Sequence, residues 1–87
     1  MKRTIDFDDC LFADRMQHLR MCELGMTMYE FGQEAGLSGA SIGNYESMRN
    51  GATVYALYCI CKTYGVSADW LLGLRDGRPW ANYEQRR

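Results

Sequence analysis

Apolar residues recur at spacings of three and four from about residue 9 to residue 74 of this 87-residue chain. This spacing matches the period of an α-helix, about 3.6 residues, and no segment alternates apolar and polar residues as a strand does. A chain of this size buries only about 60% of the surface that its unfolded state exposes, so its apolar residues have to share one core. The pattern therefore predicts a single all-α domain.

The residues between the apolar segments indicate where five helices begin and end. Thr27 and Glu30 have the spacing of a capping box, and Gly36 can end that helix in the left-handed conformation. Ser38, Thr53 and Ser67 are suitable N-caps for the next three helices. We predict helices over residues 8–23, 27–35, 39–48, 53–64 and 67–72. The fourth is expected to face the core with Val54, Leu57, Ile60, Cys61 and Tyr64.

Residues 27–46 contain two short helices joined by a tight turn. Gly32 offers the small residue that lets one helix cross the other closely, and Gly36 follows four residues later in the turn. Phe31, Ala35, Leu37, Ile42 and Tyr45 are expected to hold the pair on the core. That arrangement leaves the outer face of residues 39–44 free to enter a DNA major groove.

From about Phe12 to Gly73 the chain resembles the lambda-repressor-like (Cro/cI, Xre-type) helix-turn-helix regulators. The resemblance rests on Leu19-Arg20, on Ala35-Gly36-Leu37-Ser38 at the turn, and on the string from Tyr64 to Gly73. It implies a compact five-helix DNA-binding domain, here residues 8–74, between an arm of residues 1–7 and a short basic C-terminal tail of residues 75–87. It also implies a dimer that binds double-stranded operator DNA, and regulation of transcription such as phage or prophage repressors perform.

The same resemblance assigns DNA contacts to nine positions. They are Thr27 and Met28 at the start of the second helix, Ser38, Gly39, Ala40, Ser41 and Asn44 in the third, and Arg49 and Asn50 in the following loop. Asn44 can form a bidentate pair with adenine, and the Ala40 methyl group can pack on a thymine methyl group. The first turn of the second helix can receive a phosphate on its free amides.

Several positions depart from the family pattern. Met28 replaces a common glutamine, Gly39 and Ala40 stand where long polar readers are frequent, and one extra residue lies between Leu19 and Thr27. Residues 27–50 carry three glutamates and one arginine, a balance of 1 − 3 = −2, which is unfavourable beside phosphate. The alternative function is therefore a protein–protein interaction module on a helix-turn-helix scaffold that has lost DNA binding.

Other classes find little support in the sequence. The four cysteines lie in helical apolar segments rather than in loops, so we expect free thiols and no metal, although His18 and Cys22 have a spacing that could hold one. One histidine and no phosphate-cradling loop leave no candidates for catalysis, so no enzyme, cofactor or small-molecule ligand is expected. The absence of long apolar runs predicts a cytoplasmic protein without a membrane partner.

Three charged side chains in the helices and the C-terminal tail each allow a structural and a functional interpretation. Arg15 and Arg20 are more simply explained as partners of nearby carboxylates than as phosphate contacts, and Glu46 as a tie between the third helix and the scaffold. The tail, with four arginines among residues 75–87, is either disordered or uses Trp80 and Tyr83 to anchor a dimer or partner.

Overall fold

The structure, a computed structural model, describes residues 5–81 and consists of helices. They are α1 (Asp9–His18), α2 (Met28–Ala35), α3 (Gly39–Glu46), α4 (Val54–Tyr64) and α5 (Ala68–Leu72), with a π-helical turn over Leu19–Glu23 that continues α1. Between residues 5 and 81 extended pairing is limited to one isolated antiparallel bridge, between Val66 and Trp80. The predicted all-α class with five helices is confirmed.

The π-helical turn lies in the segment where the resemblance predicts one residue more than the family pattern. Its backbone bond runs from the Leu24 amide to the Leu19 carbonyl at 3.0 Å, five residues apart instead of four. A single wide turn of this kind absorbs one residue without breaking the helix. Leu19 and Arg20, the first two residues of this turn, are buried.

The predicted caps are confirmed. Thr27 and Glu30 form both halves of the capping box, with the Glu30 carboxylate accepting from the Thr27 amide at 2.9 Å and the Thr27 hydroxyl accepting from the Glu30 amide at 3.1 Å. Ser38, Thr53 and Ser67 each accept an amide three residues on. Gly36 ends α2 with φ +78°, a conformation that costs glycine little.

The core joins all five helices in one cluster. Its fully buried side chains include Met16, Leu19, Phe31, Ile42, Ile60, Val66 and Leu71. The Phe31 and Tyr64 rings stack with centroids 4.6 Å apart, and the Tyr64 hydroxyl donates to the Phe31 carbonyl. This contact fixes α2 to α4, and so holds one half of the helix-turn-helix against the rest of the domain.

Two details of the predicted helices are wrong. The third helix ends at Glu46, not near Met48, because Met48 adopts a left-handed conformation with φ +64°. Val54 is 86% exposed rather than packed on the core. It is the first residue of α4, and Tyr55 beside it is also exposed, whereas Ala56 is buried.

Residues 75–81 pack back onto the domain, so disorder does not describe this part of the tail. The Ser67 amide donates to the Pro79 carbonyl at 2.7 Å and the Ala81 amide to the Gly65 carbonyl at 2.8 Å. Arg15 bonds the Trp70 and Arg75 carbonyls and pairs with Asp76 at 3.2 Å. Trp80 is half-buried against the core, and Tyr83 lies outside the described residues.

Candidate nucleic-acid interface

Helices α2 and α3 approach so closely at their crossing that glycine is required. A Cβ atom on Gly32 would lie 2.7 Å from the Leu37 carbonyl oxygen and 3.0 Å from that of Ser38. A Cβ atom on Gly39 would lie 3.2 Å from the Tyr29 Cα. The small-residue expectation for Gly32 is confirmed, and Gly39 has the same role at the start of α3.

The outer face of α3 is short and uncharged. With about 3.6 residues per turn, Ala40, Asn44 and Ser47 lie opposite the side of the helix that carries Ile42 and Tyr45, both of which are buried. Within the part of the chain that the structure describes, the Asn44 side-chain amide has no hydrogen-bond partner, so both its donor and its acceptor are free for a base edge.

Ser41 lies at one margin of this face and is tied to the cap. Its amide donates to the Ser38 hydroxyl at 3.0 Å, and the Ser38 hydroxyl donates to the Ser41 oxygen at 2.9 Å. The Ser41 hydroxyl proton remains available. Ser41 is therefore better suited to donate to a base or phosphate acceptor than to accept.

Met28 borders the opposite margin, beside Gly43. The Met28 sulfur lies 3.3 Å from the position that a Cβ atom of Gly43 would occupy. The first intrahelical bond of α2 runs from the Phe31 amide to the Thr27 carbonyl, which leaves the Met28 and Tyr29 amides without a partner in the helix. These amides are the donors that a phosphate would use.

The loop after α3 is fixed by a helix-ending motif. The Arg49 amide donates to the Asn44 carbonyl at 2.9 Å, and the Met48 amide to the Tyr45 carbonyl at 3.4 Å. This is the Schellman pattern, in which the left-handed position is usually glycine and here is Met48. It holds the backbone of Arg49 and Asn50 beside the carboxyl end of α3.

A buried ion pair ties α3 to α1. Arg20 donates to both carboxylate oxygens of Glu46, at 2.7 and 2.9 Å, and to the Met26 carbonyl at 2.9 Å. The pair is almost fully buried, and the hydrogen bonds to Glu46 raise the pKa of Arg20 above its ordinary value. The interpretation of Arg20 and Glu46 as scaffold partners is confirmed, and that of Arg15 by its bond to Asp76.

The electrostatics of the candidate interface follow from these pairings. Glu46 faces inward and is neutralised, so two of the three acidic residues of this segment, Glu30 and Glu34, remain on its surface. Arg49 forms no ion pair among residues 5–81 and stands at the end of the outer face of α3. The face is thus neutral and polar with one cation beside it, instead of a positive stripe.

The structure brings most of the predicted site residues together around one surface. Asn44, Ala40 and Ser41 lie on α3, Met28 beside it, and Arg49 and Asn50 directly after it. Gly43 and Ser47 belong to the same surface and were not predicted. Their spacing of three from Ala40 and Asn44 is the signal that could have found them.

The fold and this surface define a helix-turn-helix domain. A helix-turn-helix family model (HTH_3) matches residues 16–71, and the chain belongs to this Xre/lambda-repressor-like family. The family is one of DNA-binding regulators and not of enzymes.

A curated relative is the uncharacterized HTH-type transcriptional regulator YobD of Bacillus subtilis, 29% identical over 66 residues. The match covers 76% of this chain and 58% of the relative, so the chain spans little more than half of that protein's length. No solved structure matches.

Residues 5–81 contain neither a candidate metal site nor a membrane-spanning helix. No group of three or more histidine, cysteine or acidic side chains there could hold a metal ion. None of the helices in that range has the length and apolar character needed to cross a bilayer.

Proposed function

We propose that this protein is a sequence-specific DNA-binding regulator of transcription that reads the major groove with the outer face of α3. The observation that carries the proposal is the free Asn44 amide, held outward by a helix whose inner side is fixed by Ile42, Tyr45 and the Arg20–Glu46 pair. A rigid helix that presents a short amide side chain can approach adenine closely.

The remaining predicted contacts have separate roles in this proposal. The first turn of α2, at Thr27 and Met28, receives one phosphate on its amides, and Arg49 with Asn50 contacts the backbone beyond α3. Ser38 fixes the start of α3, Gly39 lets it lie against α2, and Ser41 and Ala40 complete base contacts. Double-stranded DNA is then the partner, and the protein acts in the cytoplasm.

The operator is expected to have two-fold symmetry. Proteins of this class bind as dimers with half-sites about 34 Å apart, so we propose a homodimer and a regulator of the phage or prophage repressor kind. The alternative, an interaction module that has lost DNA binding, would explain the neutral face, but it gives no role to the free Asn44 amide or to unpaired Arg49.

The test is a fluorescence-anisotropy titration of the purified protein with random duplexes and with the DNA upstream of its own gene, at ~50 and ~200 mM salt. Tighter binding to the upstream DNA, weakened by salt, supports a sequence-specific regulator. Arg49→Ala should weaken binding to all duplexes alike and reduce the salt slope by about 1 per subunit. No binding to any duplex at low salt would favour the interaction module.

A further inference from the structure

The side chain of Met28 covers a position on α3 where the chain has no side chain of its own. Its sulfur lies 3.3 Å from where a Cβ atom of Gly43 would be, although the two residues belong to different helices. Gly43 lies at the margin of the outer face, next to Asn44. Met28 thus adds an apolar group from α2 to a surface built mainly by α3.

Met28 is not a core residue. It is 39% exposed, and it is absent from the cluster of side chains that forms the core. Met28 is the first residue of α2, and its partly exposed side chain lies over the backbone of Gly43. A ligand that approaches α3 from outside would meet this side chain.

The chemistry of Met28 and Gly43 indicates which chemical group of a ligand would pack against them. The thioether is apolar and polarizable, and it adapts its shape through three rotatable bonds. In a major groove the apolar group presented by a base edge is the C5 methyl group of thymine. Because Gly43 has no side chain, the sulfur lies close to the α3 backbone at the margin of the outer face, where a base edge would pass.

We propose that Met28, seated on Gly43, is a specificity-determining residue that packs against the C5 methyl group of a pyrimidine in each half-site. The ligand class is a 5-methylpyrimidine, thymine in unmodified DNA. This inference rests on the proposed DNA-binding function. In this inference Met28 contacts a base as well as lying beside a phosphate. The base lies next to the adenine that Asn44 contacts.

The test uses deoxyuridine, which differs from thymidine only by that methyl group. An operator is first selected from random duplexes with the wild-type protein, and each thymine of a half-site is then replaced in turn. At the thymine that contacts Met28 we expect about fourfold weaker binding, the effect of burying one methyl group. Met28→Ala protein should bind the thymine and uracil duplexes equally at that position.

Two variants separate this role from others. Met21→Ala removes an exposed methionine from the π-helical turn and should keep the thymine preference. Gly43→Ala places a methyl group 3.3 Å from the sulfur, so it should displace Met28 and reduce the thymine preference while the preference at the Asn44 position persists. Circular dichroism checks that each variant is folded.

The outcomes are distinguishable. If the selected operator is bound but the thymine preference in Met28→Ala protein equals that of wild type at every position, the inference is overturned and the proposed function stands. If no duplex is enriched or bound, the proposed function is wrong and the inference with it.

Discussion

The Glu46 side chain holds α3 in place through its buried carboxylate, which pairs with Arg20. A buried charge whose partner is removed retains its full cost of desolvation. We expect Glu46→Ala to lower the free energy of unfolding by about 3–5 kcal/mol, measured by urea denaturation.

The chain offers a matched control in the exposed pair of His18 and Glu23, 3.0 Å apart. Glu23→Ala should cost less than about 1 kcal/mol, as exposed pairs do. Equal losses for the two glutamate variants would show that burial does not determine the strength of the Arg20–Glu46 pair.

Met48 holds a backbone conformation that glycine adopts more easily. Its φ of +64° costs a non-glycine residue roughly 1–2 kcal/mol, and its half-exposed side chain buries little area in return. Met48→Gly removes this strain but adds conformational entropy to the unfolded chain. As the net effect, the variant should have a free energy of unfolding about 0.5–1 kcal/mol higher than the wild type.

The neighbouring Ser47 has an ordinary φ of −94°, so Ser47→Gly should give no such gain. Thermal unfolding followed by circular dichroism compares the two variants. A lower midpoint for Met48→Gly than for wild type would contradict the strain at this position.

Single residues were predictable where one chemical role dominated. The sequence favours Glu46 as a tie between the third helix and the scaffold over a contact with a base, and the pair with Arg20 confirms this interpretation. Helical spacing predicts Val54 on the core, but spacing alone cannot show that the first residues of α4, Val54 and Tyr55, are exposed. Met28 and Gly43 could not be paired from sequence, since their contact joins two helices.

At the scale of elements, Gly32 decides whether α2 and α3 can cross. Alanine is the better helix former by about 1 kcal/mol, so Gly32→Ala would stabilise an isolated α2. In the folded protein its Cβ would lie 2.7 Å from the Leu37 carbonyl, a backbone atom that cannot move without opening the turn. The variant should lose more than about 2 kcal/mol of unfolding free energy, as overpacked sites do.

Gly51→Ala is the control for this variant. No atom lies within 4 Å of the position of its Cβ, and its φ is not in the left-handed region. It should leave the urea midpoint nearly unchanged. If Gly32→Ala is equally neutral, the crossing is looser than the structure describes.

The helices were predictable wherever a cap residue marked an end. Thr27, Ser38, Thr53 and Ser67 each predicted a start that the structure confirms, because their hydroxyls satisfy amides that the helix leaves open. The end of α3 was missed because methionine rarely occupies a left-handed cap. The π-helical turn was visible only as one extra residue, since no side chain signals a widened backbone bond.

At the scale of the whole molecule, burial of Cys61 makes stability depend on pH. Burial raises the pKa of the Cys61 thiol to about 11, and burial together with Glu34 raises that of Tyr64 to about 12. Both groups are held neutral in the folded protein and ionise more readily when it unfolds. The stability that comes from keeping these groups neutral is complete below their pKa values in the unfolded chain, near 9 and 10. It is lost as the pH rises toward their pKa values in the folded protein.

We therefore expect the urea midpoint to fall between about pH 9 and pH 11, and to fall less in Cys61→Ala protein. At neutral pH an alkylating reagent should modify exposed Cys10 and Cys22 quickly and buried Cys61 only after unfolding. Rapid modification of Cys61 in the native protein, identified by peptide mass spectrometry, would show that the core opens there.

The class of the whole fold could be predicted because five helical segments, separated by cap residues and glycines, allow few arrangements around one small core. The course of residues 75–81 could not be, because it depends on backbone bonds to Gly65 and Ser67 and on Arg15, which lie far away in sequence. The charge count from the sequence also overstates the negative charge exposed by residues 27–50, since it includes Glu46, which is buried with Arg20.

The most direct test of the central claim, that the outer face of α3 reads DNA, is selection from a random duplex library followed by sequencing, with wild-type and Asn44→Ala protein. The wild type should enrich a two-fold symmetric operator, and Asn44→Ala should lose discrimination of about 1–3 kcal/mol at one adenine of each half-site and keep the rest. The same operator enriched with undiminished preference by both proteins would exclude Asn44 as a reader, and no enrichment by the wild type would contradict sequence-specific DNA binding altogether.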